Sequence, residues 1–220
     1  MPTVIRDSKW FMWIPFKLLF GKKAHYFFDF KTILGNITQE ELLNIYRETS
    51  DVHLSRETDL NKGCEEKILK EVEGKTVLEV GFGTGYLIKK IEKKYKVTGV
   101  DFNVDEMVTF SNPETKIIEC SATDLPFEDN SFDTVICTHT LEHILNINDA
   151  VNELKRVCKQ KLIIVVPMQR PYKYTFDLHI HFFPYKSLFE NFMRNFEKKP
   201  ERKYIEPIQG DIYYHEEYQN

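Results

Sequence analysis

At 220 residues the chain is long enough for one well-buried domain and too short for two large ones, and 42% hydrophobic with 29% charged residues is an ordinary globular composition. A formal charge of −4 offers no basic field for a nucleic-acid backbone, which sets nucleic acid aside as a partner. The four cysteines, at 64, 120, 137 and 158, make no CxxC and no zinc spacing, so they read as reduced apolar fillers in a cytoplasmic protein.

The first segment with a choice of meanings is WFMWIPFKLLFGKK, Trp10 to Lys23. It is too short to span a bilayer, Pro15 and Lys17 interrupt it, and no small-residue cleavage site follows. Two readings stay open. Apolar residues usually find protein partners, so the segment packs on the domain or in a homodimer contact; alternatively, two Trp beside Lys17, Lys22 and Lys23 lie in a membrane interface as a peripheral contact or receive a lipid-linked substrate. Thr38 with Glu41 three residues on is a capping box that opens a helix to about Thr49, with Leu42, Leu43, Ile45 and Tyr46 as its apolar stripe. A further helix, about Asn61 to Val72, stops at Gly74.

Next comes TVLEVGFGTG. Val77, Leu78 and Val80 form a buried strand, which Gly81, Gly83 and Gly85 end in a tight loop. A helix starts at once, with Tyr86, Leu87, Ile88 and Ile91 on one side and Lys89, Lys90, Lys93 and Lys94 on the other. A second strand, Lys96 to Val100, completes a βαβ unit of the nucleotide-binding kind, and Asp101 at its tip can accept hydrogen bonds from both hydroxyls of a ribose. The third glycine of a nicotinamide fingerprint would fall at position 86, which is Tyr.

Further along, Val104 to Phe110 reads as a short helix closed by Asn112-Pro113, and Lys116 to Glu119 as the third strand. The fourth strand, Phe132 to Cys137, runs into THTLEH. Asn148 opens a helix through DAVNELKRVC, and Leu162 to Val166 is the fifth strand, ended by Pro167. The polar and aromatic stretch that follows is longer than an ordinary connection and so reads as functional. In it His179 and His181 alternate with Ile180, which points both imidazoles one way if the backbone is extended. An amphipathic helix, Ser187 to Phe196, precedes a hairpin of Arg202 to Ile208 and Ile212 to Tyr218.

The spacing Glu79-x-Gly81-x-Gly83-x-Gly85 resembles motif I of the class I S-adenosylmethionine-dependent methyltransferases. Asp101, DLPFEDNSFD, THTLEH, and ELKRVCK before LIIVVP follow in that family's order, and the resemblance covers about Asn61 to Pro167. It implies an α/β Rossmann-like fold: a seven-stranded, mostly parallel sheet with a C-terminal antiparallel hairpin. The methyltransferase domain would occupy residues 61–220, after an aromatic extension and lid-like helices in 1–60. S-adenosylmethionine is the implied cofactor. Glu79, Gly81, Phe82, Gly83, Gly85, Asp101 and Phe102 would hold it on one side. Ala122, Thr123, Asp124 and Leu125 would line its adenine, and Thr138 to Thr140 its methionine part. By the same resemblance Tyr46 and the segment Asp51 to Arg56 form a lid, and the stretch after Pro167 lies over the acceptor.

For chemistry, an oxygen acceptor benefits from a base near neutrality, which favours histidine. His139, close to a strand end, is the first candidate and His181 the second, with Tyr46, His143 and His179 as acceptor contacts. No metal is expected, since the catechol-type members need acids at strand ends where this chain has Cys137-Thr138-His139. Similar His-Phe segments in small-molecule members point to O-methylation of a sugar or glycan precursor. A quinone or phenolic lipid is the alternative acceptor, and a noncatalytic partner subunit the alternative role. The amino-adenine motif and the Pro-Cys nucleophile of nucleic-acid methyltransferases are absent.

Overall fold

The apolar runs become strands, and seven of them form one sheet in the order β3-β2-β1-β4-β5-β7-β6. These are β1 (Thr76–Val80), β2 (Lys96–Asp101), β3 (Lys116–Glu119), β4 (Phe132–Thr138), β5 (Cys158–Pro167), β6 (Arg202–Ile208) and β7 (Asp211–Glu217). In this computed structural model residues 3–53, 57–105, 107–174 and 176–219 are described. The first five strands are parallel, and β7 enters antiparallel against β5, with Pro167 opposite Asp211. Connections leave β1 toward β2 on one side while β4 pairs on the other, so the switch point, where such folds place their ligands, lies between β1 and β4.

Alternation along the strands sorts side chains to two faces. On one, Leu78, Val80, Val135, Cys137, Leu162 and Ile164 meet α7 (Ile147–Val157) and α8 (Lys186–Met193). On the other, Val77, Val97, Ile136, Ile163 and Val165 meet α5 (Lys62–Glu71) and α6 (Tyr86–Ile91). The N-terminal helices α1 (Thr3–Arg6), α2 (Lys9–Phe20), α3 (Ala24–Ile33) and α4 (Gln39–His53) build a third core from Met12, Phe16, Phe27, Phe28, Phe30, Leu42 and Ile45. That core closes on Tyr174 and Leu178, in the stretch after β5. The capping box forms as expected: Glu41 accepts from the Thr38 N–H, and the Thr38 hydroxyl accepts from the Glu41 N–H.

Several boundaries move. Residues 104–105 and 107–110 are not helical: the Asp105 carboxylate accepts from the Met107 N–H at 2.9 Å, an Asx turn that competes with helix formation, and Phe110 packs toward the glycine loop. α4 continues past Thr49 to His53. Of the expected lid segment, Leu54, Ser55 and Arg56 lie outside the described residues. β5 starts at Cys158, which already pairs with Phe132 of β4, and its pairing with β7 begins at Lys161.

A buried ion pair fastens the antiparallel strand. Lys155 of α7 donates to both oxygens of Glu216 of β7, at 2.6 and 2.8 Å, and the Tyr214 hydroxyl donates to the same carboxylate. Burial alone would push the Lys155 amine down, and the Glu216 charge opposes that. Lys155→Met leaves a buried carboxylate without its cation and is expected to cost about 3–5 kcal/mol in urea unfolding. Lys155→Met combined with Glu216→Leu is expected to be more stable than the single variant, because no unpaired charge remains.

Candidate active site

The loop after β1 is glycine-rich for steric reasons that can be read atom by atom. Gly81 has φ +76°, and a Cβ there would stand 2.0 Å from the Thr140 hydroxyl. At Gly83, φ +52°, a Cβ would meet no protein atom within 4 Å, so its backbone faces open space that a ligand can enter. The Gly83 N–H donates to Asp101 Oδ2 at 3.0 Å, and the Asn103 N–H to Oδ1 at 3.3 Å. A carboxylate offers about four acceptor positions, so Asp101 keeps capacity for further donors. Burial raises its pKa, against the backbone N–H groups that lower it. Glu79, one strand away, is pushed up to about 8 by burial and by the Asp101 charge.

Above this loop a cavity of about 950 Å³ opens at the carboxyl ends of the strands. Such a volume is at the upper end for small-ligand sites. Gly81, Gly83, Asp101, Phe102 and Ala122 line it, as do Cys120 and Ser121, which the sequence reading passed over. Burial, Asp101 and Asp124 push the Cys120 thiol up to about 11. Asp124 itself is exposed on the following turn. Thr123 bonds Ser121 through their hydroxyls. Leu125 belongs to the hydrophobic core, so its expected adenine contact is corrected to a supporting position. Glu79, Phe82 and Thr138 line a smaller adjoining pocket of about 220 Å³, and Gly85 lies against Phe110.

The same cavity gathers Tyr46, His139, Glu142, His143, His179 and Asp211. His139 sits at φ +49°, a left-handed backbone rare outside glycine, and its ring is clamped between two acids. Nε2–H donates to Asp211 Oδ2 at 3.1 Å, and Nδ1 stands 3.5 Å from Glu142 Oε1. Burial would lower its pKa, but the two carboxylates outweigh burial and lift it to about 10. With both ring nitrogens facing carboxylates and its pKa raised above neutrality, the ring is held as an imidazolium, which speaks against the expected role as a base.

His179 has the opposite state. Burial first, then the charges of His139 and Lys31, push it down to about 4 despite Asp177. Its neutral ring donates Nδ1–H to Gln169 Oε1 at 2.6 Å, and Gln169 is held by Asp177 at 2.6 Å. His143 stacks edge-on to His179, 4.6 Å between centroids. The Tyr46 hydroxyl, on α4, donates to the carbonyls of His143 and Leu178. His181 is not part of this group. A bend at Ile180 interrupts the extended run, and His181 Nε2–H donates to the carbonyl of Ile144, so the ring supports a lining residue and does not itself line the cavity.

Glu142 and Asp211 are cavity-lining residues that sequence reasoning did not single out as site residues. Glu142 is fully buried, and neither of its oxygens has a hydrogen-bond partner among the described residues. Asp211 was legible only as part of a turn. Its place follows from topology: an antiparallel β7 begins where β5 ends, which brings its first residue to the ligand edge of the sheet. Glu142, His143 and His179 offer ligand atoms within 4.8 Å of one another. The His139 imidazolium beside Glu142 already supplies a counter-charge there.

The clamp has a pH signature. A histidine whose pKa rises from 6.5 unfolded to about 10 folded stabilises the fold fully below 6.5 and loses that contribution as pH climbs through 10. The His139 ring carbons, followed by NMR in selectively labelled protein, are expected to show the imidazolium form throughout pH 6–8 and to titrate only near the alkaline end. In Asp211→Asn the transition should move toward neutrality.

Comparison with known proteins agrees with this geometry. A family model described as a methyltransferase domain matches residues 78–166. A 2-phytyl-1,4-naphtoquinone methyltransferase from Trichormus variabilis is 31% identical over 98 residues, 39% of this chain and 43% of its own. A demethylmenaquinone methyltransferase from Staphylococcus aureus (strain MRSA252) is 32% identical over 117 residues, 48% of each chain. The chain thus spans about half the length of the curated relatives it matches. A solved structure of the 1,6-didemethyltoxoflavin-N1-methyltransferase of Burkholderia thailandensis, with S-adenosylhomocysteine bound, superposes with a TM-score of 0.62 at 13% identity, covering 82% of this chain and 87% of that one. With the sheet order, the glycine loop and the half-buried acid at the tip of β2 all in place, residues 78–166 match a methyltransferase domain and the chain has the fold of the class I S-adenosylmethionine-dependent methyltransferases.

Proposed function

We propose that the chain methylates an oxygen of a small-molecule acceptor, with S-adenosylmethionine as donor. The observation that carries this reading is that the open face of Gly83 and the inward carboxylate of Asp101 share one cavity with the His139–Glu142–His179 group. When bound, the cofactor supplies a sulfonium whose methyl group is electrophilic. Asp101 would take the ribose hydroxyls, and the backbone of Gly81 and Gly83 the close approach that side chains would block. Cys120, Ser121 and Ala122 would form the wall beside the base.

The acceptor's own proton needs a destination. His139 cannot take it, being already protonated, and His181 faces elsewhere. Glu142 is the group that remains: a buried carboxylate lining the cavity, with acceptor capacity unused and the imidazolium of His139 beside it to hold its charge. Neutral His179, with His143 edge-on to it, would orient the acceptor and exclude water. No metal enters this reading, because a dication bound at Glu142 would sit beside an imidazolium. Two relatives named for quinones support a phenolic acceptor, such as a hydroquinone whose O–H can give up its proton, ahead of the sugar or glycan precursor that the His-Phe segment suggested.

Two outcomes check the reading. Calorimetry should show S-adenosylmethionine and S-adenosylhomocysteine binding and NAD not binding. Asp101→Ala should weaken cofactor binding by about a hundredfold, the loss of two charge-assisted hydrogen bonds. No binding of either sulfur compound to the unaltered chain would favour a noncatalytic partner subunit. Glu142→Gln should leave cofactor affinity in place and slow turnover of an O–H acceptor by about 10²-fold or more, whereas chelator should leave turnover unchanged. Normal turnover in Glu142→Gln would remove that residue from the proton path.

A further inference from the structure

We propose that the outward face of α1 and α2 docks on an anionic lipid bilayer, as a monotopic contact at headgroup depth. Sixteen large hydrophobic residues are exposed among the described residues, and eight of them lie between Val4 and Leu19. Trp10, Ile14 and Leu18 follow one another at i, i+4 and form a ridge, with Trp10 78% and Leu18 82% exposed. Trp13 and Leu19 widen it. The opposite side of the same helix is committed to the protein, since Met12 and Phe16 are buried. A helix with one face in a core and the other face bare and apolar is the pattern of an interfacial element.

Charge selects the occupant. From Ser8 to Phe28 there is no acidic residue, while Lys9, Lys17, Lys22 and Lys23 fall in that stretch. The chain's total of −4 therefore divides into +4 here and −8 elsewhere. A second copy meeting this face about a two-fold axis would bring the two lysine sets together, which is unfavourable. An anionic headgroup layer is attracted to them, and two Trp suit the boundary between headgroups and chains. Among the described residues no helix is long and apolar enough to cross a membrane, and the proposed contact is a surface one.

The position of the face also has a consequence for access. Phe16, on the inner side of α2, packs on Phe176 at 4.4 Å between centroids, and Phe176 lines the cavity. One helix layer thus separates the proposed bilayer from the site where the acceptor would sit. The docking proposal stands on exposure and charge and does not depend on methyl transfer.

The sequence supplies its own probe, because both of its tryptophans, Trp10 and Trp13, lie on this face. The full chain would be mixed with vesicles of phosphatidylcholine alone or with added phosphatidylglycerol, followed by sedimentation and tryptophan emission. Expected are co-sedimentation with the anionic vesicles, a blue shift of the emission, and weakening of both by salt. Leu18→Ser with Leu19→Ser should reduce binding at least tenfold, and Lys17→Glu with Lys22→Glu likewise, with unchanged melting temperature. Emission that stays at the solvent-exposed wavelength with anionic vesicles overturns the proposal. So does dimerisation that buries both tryptophans in the absence of lipid. Calorimetry with S-adenosylhomocysteine on the same sample keeps this outcome separate from failure of the methyltransferase reading.

Discussion

The site depends on one clamp, the His139 imidazolium held between Glu142 and Asp211. Each member comes from a different place: the end of β4, the turn that follows it, and the start of β7. Asp211 also accepts from Asn61 Nδ2 at 2.6 Å, and Asn61 caps α5 by accepting from the Cys64 N–H. Four elements are thereby tied at the carboxyl edge of the sheet. Two acids around one cation leave the group with a net negative charge in a place of low polarity. Such an arrangement favours a positively charged ligand atom nearby, which is what a sulfonium donor is. The left-handed backbone at His139 belongs to the same constraint, since the His139 N–H bonds the Val165 carbonyl of β5 while its ring must turn toward β7.

A second constraint acts at close range on the other side of the cavity. The glycine loop is packed against Thr140 beneath Gly81 and against Phe110 beneath Gly85, leaving only Gly83 open. Thr140 in turn donates to the Thr138 carbonyl, so the end of β4 supports the loop after β1. The cofactor side and the acceptor side therefore share a wall, and the turn from Thr138 to His143 is that wall. A change in either half would be felt in the other through two or three atoms.

Much of this was legible in the sequence because it is local. The strand–loop–helix unit from Thr76 to Ile91, the acid at 101 and the C-terminal hairpin each announce themselves within a few residues by period and turn chemistry. What was not legible is what long-range contact decides. His139 looked like a base because an isolated histidine titrates near neutrality, and that is reversed by a carboxylate one turn on, Glu142, together with one brought from β7, Asp211. His179 and His181 looked equivalent by alternation, and a bend at Ile180, between them, separates them. The turn at Asp105 looked helical because its apolar residues have helical spacing, yet one carboxylate captured the backbone first. The exposed face of α2 could not be told from a core helix, since both are apolar all round and only packing decides which side is covered.

The N-terminal helices connect these levels. Tyr46 of α4 reaches two carbonyls of the acceptor side, Lys31 of α3 donates to the His179 carbonyl and lies 4.2 Å from the Phe182 ring, and Phe16 of α2 holds Phe176. Burial pushes the Lys31 amine down to about 8, a sign of how closely α3 is seated there. Three helices thus form the roof of the cavity by contacts to the stretch after β5, and that stretch carries His179 and Asp177. A roof built from elements outside the nucleotide unit can vary in sequence without disturbing the sheet, whereas the glycine loop and the clamp cannot. On the proposed reading, acceptor choice would reside in α2 to α4 and residues 168–183, and cofactor binding in β1, β2 and β4. The methyltransferase domain model likewise matches residues 78–166, from β1 to β5.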